Sequence, residues 1–304
     1  MGFADWLSYL CKLSLFYVDF LEELNEPQRQ AATSVEGPVM IIAGAGSGKT
    51  RVLTYRIAYL VKQGIDPFHI LSLTFTNKAA REMKERIASV IGPSEAKNLW
   101  MGTFHSVFAR ILRSESDRLG YPSNFSIYDT DDAKSLIRTI INEMGLDDKM
   151  YKPNTVYNRI SNAKNALITA HAYRQSTEFI SDDEQASRPR LFEIYQTYTE
   201  RCFKAGAMDF DDLLLKTYEL FARFPEVLYK YQNRFQFILV DEFQDTNFAQ
   251  YAIIRQLAAL YQNICVVGDD AQSIYAFRGA NIQNILDFEK DYPELQTFKL
   301  EQNY

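Results

Sequence analysis

The sequence predicts an α/β fold, a parallel sheet interrupted by an inserted all-helical subdomain. Three observations carry that prediction. Short, continuous apolar runs recur at Val39 to Ile42, Ile70 to Phe75, Asn98 to Met101, Phe235 to Val240 and Ile264 to Val267, with stretches of helical periodicity between them. Runs without polar alternation suit strands buried on both faces, and helices between strands supply the crossovers that parallel pairing needs. From about Tyr121 to Gly206 the alternation stops, and helices are expected over Asp131 to Met144, Thr155 to Ala166 and Arg190 to Lys204. The polar stretch from Ser181 to Arg190 reads as a loop.

The first strand runs into Ala43-Gly44-Ala45-Gly46-Ser47-Gly48-Lys49-Thr50, and a periodic segment from Arg51 to Val61 follows it. Glycines at 44, 46 and 48 let successive backbone N–H groups turn inward around a phosphate. Lys49 then reaches the β/γ oxygens, and the Thr50 hydroxyl holds Mg²⁺. Ala43 stands where the usual pattern has its first glycine, a small residue at the start of the loop. A glycine-rich turn with no ligand is the other reading of such a run.

The apolar run at Phe235 to Val240 delivers Asp241 and Glu242 at its carboxyl end, the edge at which ligands sit in parallel sheets. With a triphosphate bound by the glycine-rich loop, Asp241 would hold the Mg²⁺ that Thr50 also touches. Glu242 would orient and deprotonate the attacking water. Taken alone, an acidic pair after a strand is as readily a solvated strand end.

Composition narrows the setting. The 304 residues are 47% hydrophobic and 24% charged, enough for a large core and two domains. Cys11, Cys202 and Cys265 are far apart and lack metal spacing, which fits a reducing cytoplasm. The net charge of −6 argues against a generally basic surface, yet Thr74 to Arg118 holds eight Lys/Arg against five Asp/Glu. Lys149 to Lys204 holds nine against six. The apolar start, with Phe3, Trp6, Leu7, Leu10 and Phe16, has no basic n-region or cleavage site and is too short to span a bilayer. An amphipathic helix packed on the body and a mis-called start are the two readings of it.

Leu24-Asn25-x-x-Gln28, the Ala43 to Thr50 loop, Thr74-Phe75-Thr76-Asn77-Lys78-Ala79-Ala80, Gly102-Thr103-Phe104-His105-Ser106, Asp209-Phe210-Asp211-Asp212-Leu213, Asp241 to Thr246, Gly268-Asp269-x-x-Gln272-Ser273-Ile274-Tyr275 and Leu300 to Tyr304 follow in one order. The series resembles the UvrD/Rep/PcrA type of superfamily 1 DNA helicases from about Leu24 to the last residue. The resemblance implies a RecA-like P-loop NTPase sheet with ATP and Mg²⁺ as cofactors. It implies an atypical extension over 1–22, a RecA-like ATP-binding domain in two parts over 23–120 and 207–304, and a helical insertion over 121–206.

For single residues, the resemblance implies that Gln28 reads the adenine edge, Tyr304 stacks on adenine, and Arg51 belongs with the nucleotide-binding loop. Gln272 would sense the γ-phosphate, with Arg278 reaching the same region. Phe75, Tyr275 and Phe277 would stack single-stranded DNA bases, each worth about 1–3 kcal/mol. Phe277 stands where many relatives carry tryptophan. Asn77, Lys78, Thr103 and His105 would donate to phosphates. Asp209, Asp211 and Asp212 are assigned no metal and are read as DNA-facing or structural.

The implied function is ATP-dependent 3′-to-5′ unwinding in repair or plasmid replication, acting on single-stranded DNA and single/double-strand junctions, with no membrane partner. No second carboxylate cluster or iron–sulfur cysteine set suggests a nuclease. The chain reads as the first RecA-like domain alone, a truncated or split form. Its expected behaviour is ATP·Mg²⁺ binding, weak single-stranded DNA binding and little hydrolysis, unless another polypeptide supplies the second RecA domain. The alternative is a non-catalytic module that binds ATP and single-stranded DNA, and needs or interferes with an intact helicase.

Overall fold

Val39-Met40-Ile41-Ile42-Ala43 carries no polar side chain, and it forms an interior strand of a parallel sheet, paired on both sides. The computed structural model describes residues 19–44, 46–269 and 282–300. In chain order the elements are α1 (Glu26–Thr33), β1 (Val39–Ala43), α2 (Lys49–Lys62), β2 (Ile70–Thr74), α3 (Asn77–Ile91), α4 (Pro93–Asn98) and β3 (Trp100–Thr103). Next come α5 (Phe104–Ser114), β4 (Ser126–Tyr128), α6 (Thr130–Glu143), α7 (Pro153–Asn165), α8 (Ala170–Gln175), α9 (Thr177–Gln185), α10 (Leu191–Lys204), β5 (Ala207–Asp209) and α11 (Phe210–Arg223). The chain continues through α12 (Pro225–Arg234), β6 (Phe237–Val240), α13 (Phe248–Ala258), β7 (Ile264–Gly268), α14 (Ile282–Asp291) and β8 (Gln296–Leu300).

Two units divide these elements. One extends to Phe104 and takes in Tyr229–Thr246 and Leu257 onward; the other is His105–Leu228 with Asn247–Gln256. The helical span expected over 121–206 lies within the second unit, which also takes in α11. No helix among the described residues is long and apolar enough to cross a membrane.

In the first unit, the described strands form a six-stranded parallel sheet in the order β3-β2-β6-β7-β1-β8. The register pairs Ile42 with Gly268, Val240 with Val266 and Leu73 with Val240. The carboxyl ends of β1, β7, β6 and β2 therefore share one edge. The strands stay in register because their side chains are buried: Ile41, Ile70, Leu239 and Val267 pack with Val52, Leu53, Ile57 and Leu60 of α2. Each such side chain contributes about 1.5–3 kcal/mol on burial. Helix α3 starts where the Thr76 hydroxyl accepts the Ala79 N–H at 3.1 Å, and it stops at Gly92, whose φ of +96° a side chain resists. The expected strands at 39–42, 70–75, 235–240 and 264–267 are present with small shifts, while Gln296-Thr-Phe-Lys-Leu300 pairs with β1 without any apolar run to announce it.

The second unit gathers Ile137 and Ile140 of α6, Ile160 of α7, and Leu191, Ile194 and Tyr198 of α10 into its own core. At the start of α11, Asp209 and Asp212 form a reciprocal capping box. The fully buried Lys164 ammonium lies 2.7 Å from Asp209 Oδ2 and 2.8 Å from Asp212 Oδ1, and the Tyr198 hydroxyl donates to Asp209 Oδ2 at 2.7 Å. Burial alone would discharge the lysine, but the two carboxylates outweigh it and hold its pKa well above the ordinary value. The loop expected over Ser181 to Arg190 is a correction: α9 continues to Gln185. Ser176 caps Phe179 N–H at 3.3 Å, and the Asp183 carboxylate binds the Tyr173 hydroxyl at 2.5 Å and Arg159 Nε at 3.1 Å. An acidic residue there turns inward to partners that a polarity reading takes for solvent.

Replacing Lys164 by methionine leaves two buried carboxylates without a cation. A loss of about 3–5 kcal/mol in urea unfolding is expected; an unchanged midpoint would show that the pair carries no stabilising charge compensation.

Candidate nucleotide site and nucleic-acid surface

The loop between β1 and α2 keeps its shape through two backbone positions that side chains disfavour. Gly46 and Gly48 have φ values of +81° and +88°. Ser47 closes the turn, its hydroxyl and N–H reaching Gly44 O at 2.7 and 3.3 Å. No side chain caps the N-terminus of α2, so the first-turn N–H groups and the positive end of a 14-residue helix face the loop. Gln28 braces this arrangement from α1. Its amide nitrogen donates to Ser47 O at 3.0 Å, and its amide oxygen accepts the Asn25 N–H at 3.2 Å.

Across the same edge stand the acidic groups. The Lys49 ammonium lies 3.0 Å from Asp269 Oδ2, just past β7, and 3.5 Å from Glu242 Oε2, just past β6. Glu242 has a φ of +50°, a left-handed conformation costing about 1–3 kcal/mol outside glycine. Its N–H donates to Asp241 Oδ1 at 3.0 Å. Asp241 is buried, and burial, with the Glu242 charge adding to it, pushes the Asp241 carboxyl up to about 6. A buried carboxylate without a full cationic partner has strong affinity for a hard cation. The Gln244 amide nitrogen holds Glu242 Oε2 at 2.7 Å, and its oxygen accepts the Asp269 N–H at 3.1 Å.

Lys49, Asp241, Glu242 and the glycine-rich loop thus meet at the carboxyl edge of one sheet. Residues 24–293 match the family described as UvrD/REP helicase N-terminal domain. The chain belongs to that family. It is 50% identical over 286 residues to the ATP-dependent DNA helicase PcrA of Staphylococcus aureus strain Mu50, covering 93% of this chain and 38% of that protein. It is 50% identical over 285 residues to PcrA of Bacillus subtilis strain 168 and 48% over 286 residues to PcrA of Staphylococcus epidermidis, with the same coverage. The chain spans about 38% of the length of these relatives.

The remaining family positions are placed less uniformly. Arg51 turns to the Glu23 carboxylate at 3.0 Å, its guanidinium 5.7 Å from the Tyr55 ring centre. Thr50 is the second residue of α2. Phe75, half-buried, leans on Phe104 at 5.4 Å between ring centres, while Asn77 and the 77% exposed Lys78 side chain open α3 beside it. Thr103 pairs in register with Thr74. These four belong to the first unit. His105 falls in the second, edge-on to Phe210 at 5.6 Å. Burial holds its pKa below the usual histidine value, against the opposing pull of Asp211. Ala45, Gln272, Tyr275, Phe277, Arg278 and Tyr304 lie outside the described residues, as does the apolar start over 1–18. Gln244 and Asp269 were legible only as motif letters; their contact with Glu242 and Lys49 needs the adjacency of β6 and β7.

Two outcomes follow from this geometry. A Cβ at Gly48 would lie 2.9 Å from the Gln28 amide nitrogen. Gly48→Ala should therefore lower stability by about 1–2 kcal/mol and weaken nucleotide binding, measured by chemical unfolding and by titration with a fluorescent ATP analogue. For Asp241, the folded pKa of about 6 lies above the ordinary 3.8, so the folded protein keeps a proton that the unfolded chain releases. That contribution is complete below pH ~4 and lost as pH rises through ~6. Asp241→Asn should gain about 2–3 kcal/mol over wild type at pH 8 and nothing near pH 4 in urea unfolding.

Proposed function

We propose that this chain is the nucleotide-binding, DNA-engaging part of an ATP-dependent DNA helicase. The observation that carries the reading is Lys49, set on the phosphate loop and held 3.0 and 3.5 Å from carboxylates after β7 and β6. A lysine so placed exchanges those carboxylates for the β/γ oxygens of a triphosphate while the N-terminal N–H groups of α2 cradle the remaining oxygens. The buried Asp241 carboxylate and the Thr50 hydroxyl are hard oxygen donors of the kind Mg²⁺ takes together with phosphates and water. Bound there, Mg²⁺ would neutralise charge developing on the phosphate oxygens. Glu242 takes the proton of the attacking water, its carboxylate oriented by the Gln244 amide at 2.7 Å.

Gln28, fully buried against Ser47 and Asn25, is assigned to an adenine edge, and Tyr304 to the stacking face. Gln272 and Arg278 are assigned to the γ-phosphate. Phe75, Tyr275 and Phe277 are assigned to bases, and Asn77, Lys78, Thr103 and His105 to DNA phosphates. His105 acts there as a neutral donor. The reading extends to 3′-to-5′ movement, to single/double-strand junctions, to a second RecA domain that closes over the nucleotide, and to a cytoplasmic role in DNA repair.

The test is Mg²⁺-dependent ATP binding and oligo-dT-stimulated hydrolysis by this chain. Lys49→Ala should weaken binding by about two orders of magnitude, whereas Glu242→Gln should bind ATP normally and lose turnover, if any turnover is present in wild type. Equal binding by Lys49→Ala and wild type would refute the assignment. In a protein carrying both RecA domains, faster unwinding of a 5′-tailed than a 3′-tailed duplex would refute the direction.

A further inference from the structure

We propose that Gln244 is a positioning residue that ties the Glu242 carboxylate to the end of β7 and competes with Lys49 for the same oxygen. The inference rests on the nucleotide-site reading given above. Gln244 sits buried in the tight turn Phe243–Asp245 that follows the acidic pair. Its amide faces two partners of opposite character. The nitrogen donates to Glu242 Oε2 at 2.7 Å, and the oxygen accepts the Asp269 N–H at 3.1 Å. Neither atom tolerates exchange, because a flipped amide would set N–H against N–H and oxygen against carboxylate.

Glu242 needs such a tether. Its backbone is left-handed, so no helix or strand directs its side chain. The oxygen that Gln244 holds is also the one that Lys49 approaches at 3.5 Å, while Asp269 holds the same ammonium at 3.0 Å. One amide therefore joins the residue that would activate water to the residue that competes with phosphate for Lys49. When Lys49 turns to a phosphate, the Gln244 amide keeps Glu242 in place. Without that amide, Lys49 is the partner left to the carboxylate among the described residues, and the pair holds the lysine back from the nucleotide.

Titration of the chain with a fluorescent ATP analogue and Mg²⁺ tests this without requiring turnover. Gln244→Met removes donor and acceptor at similar size and should weaken binding roughly fivefold. The same substitution in a Glu242→Gln background should change binding less than about twofold, because no carboxylate remains to capture Lys49. Gln244→Glu keeps the acceptor for the Asp269 N–H but sets a like charge against Glu242, so it should weaken binding at least as much as Met. It also carries the test if the Met variant does not fold. Wild-type affinity in the single variants, or an equal loss in the Glu242→Gln background, overturns the role of Gln244. Unaltered binding in Lys49→Ala instead overturns the nucleotide-site reading beneath it.

Discussion

The ammonium of Lys49 is the charge on which the carboxyl edge of the sheet depends. It leaves the phosphate loop after β1 and reaches acidic groups after β7 and β6, so a single cation ties together three strand ends. A partly buried ion pair of this kind is weak evidence for stability, since removing charges from water offsets much of their attraction. On the nucleotide-site reading proposed above, its value lies in being exchangeable: a phosphate would offer comparable charge and better geometry, so the lysine could leave its carboxylates at little net cost.

Strain accompanies that exchangeable charge. Gly46 and Gly48 adopt left-handed conformations that suit glycine, but Glu242 does so with a full side chain. Such a conformation persists when its surroundings over-determine it. Here the Asp241 carboxylate accepts the Glu242 N–H, the Glu242 carbonyl accepts the Asp245 N–H at 2.9 Å, and Gln244 grips the side chain. Thr246, at the end of the same turn, is fixed by the Asn284 amide at 2.7 Å. The rigid apolar strands behind the edge make this bracing possible, because a loop without them has nothing to pull against.

The second unit solves a different problem. Its buried cation, Lys164, is enclosed by Asp209, Asp212 and Tyr198, and those two carboxylates serve a helix cap and that lysine while Asp211 accepts from Asn165. The same residue types therefore act as a fixed internal salt bridge in one unit and as a replaceable one in the other. Solvent access decides which: the Lys49 and Glu242 side chains are 12% and 37% exposed, whereas Lys164 is 1% exposed.

The sequence by itself determined the parallel α/β class, the glycine-rich loop after the first strand and the acidic pair after a later one, because each is a local pattern. Apolar runs without alternation, glycines before Lys49, and carboxylates directly after a strand are all read within a dozen residues. It also determined the family, through motif order. Tertiary structure alone decided the rest. That Gln244 bridges Glu242 to Asp269 follows from β6 lying beside β7 in the sheet, which brings together residues 25 apart in the chain. That Gln28 braces Ser47, that Arg51 turns to Glu23, and that polar residues up to Gln185 form a helix with Asp183 facing inward all depend on partners distant in the chain. The physical reason is common to them. A side chain's polarity fixes only that it needs a partner, and the packing of buried strands and helices decides which partner comes within reach.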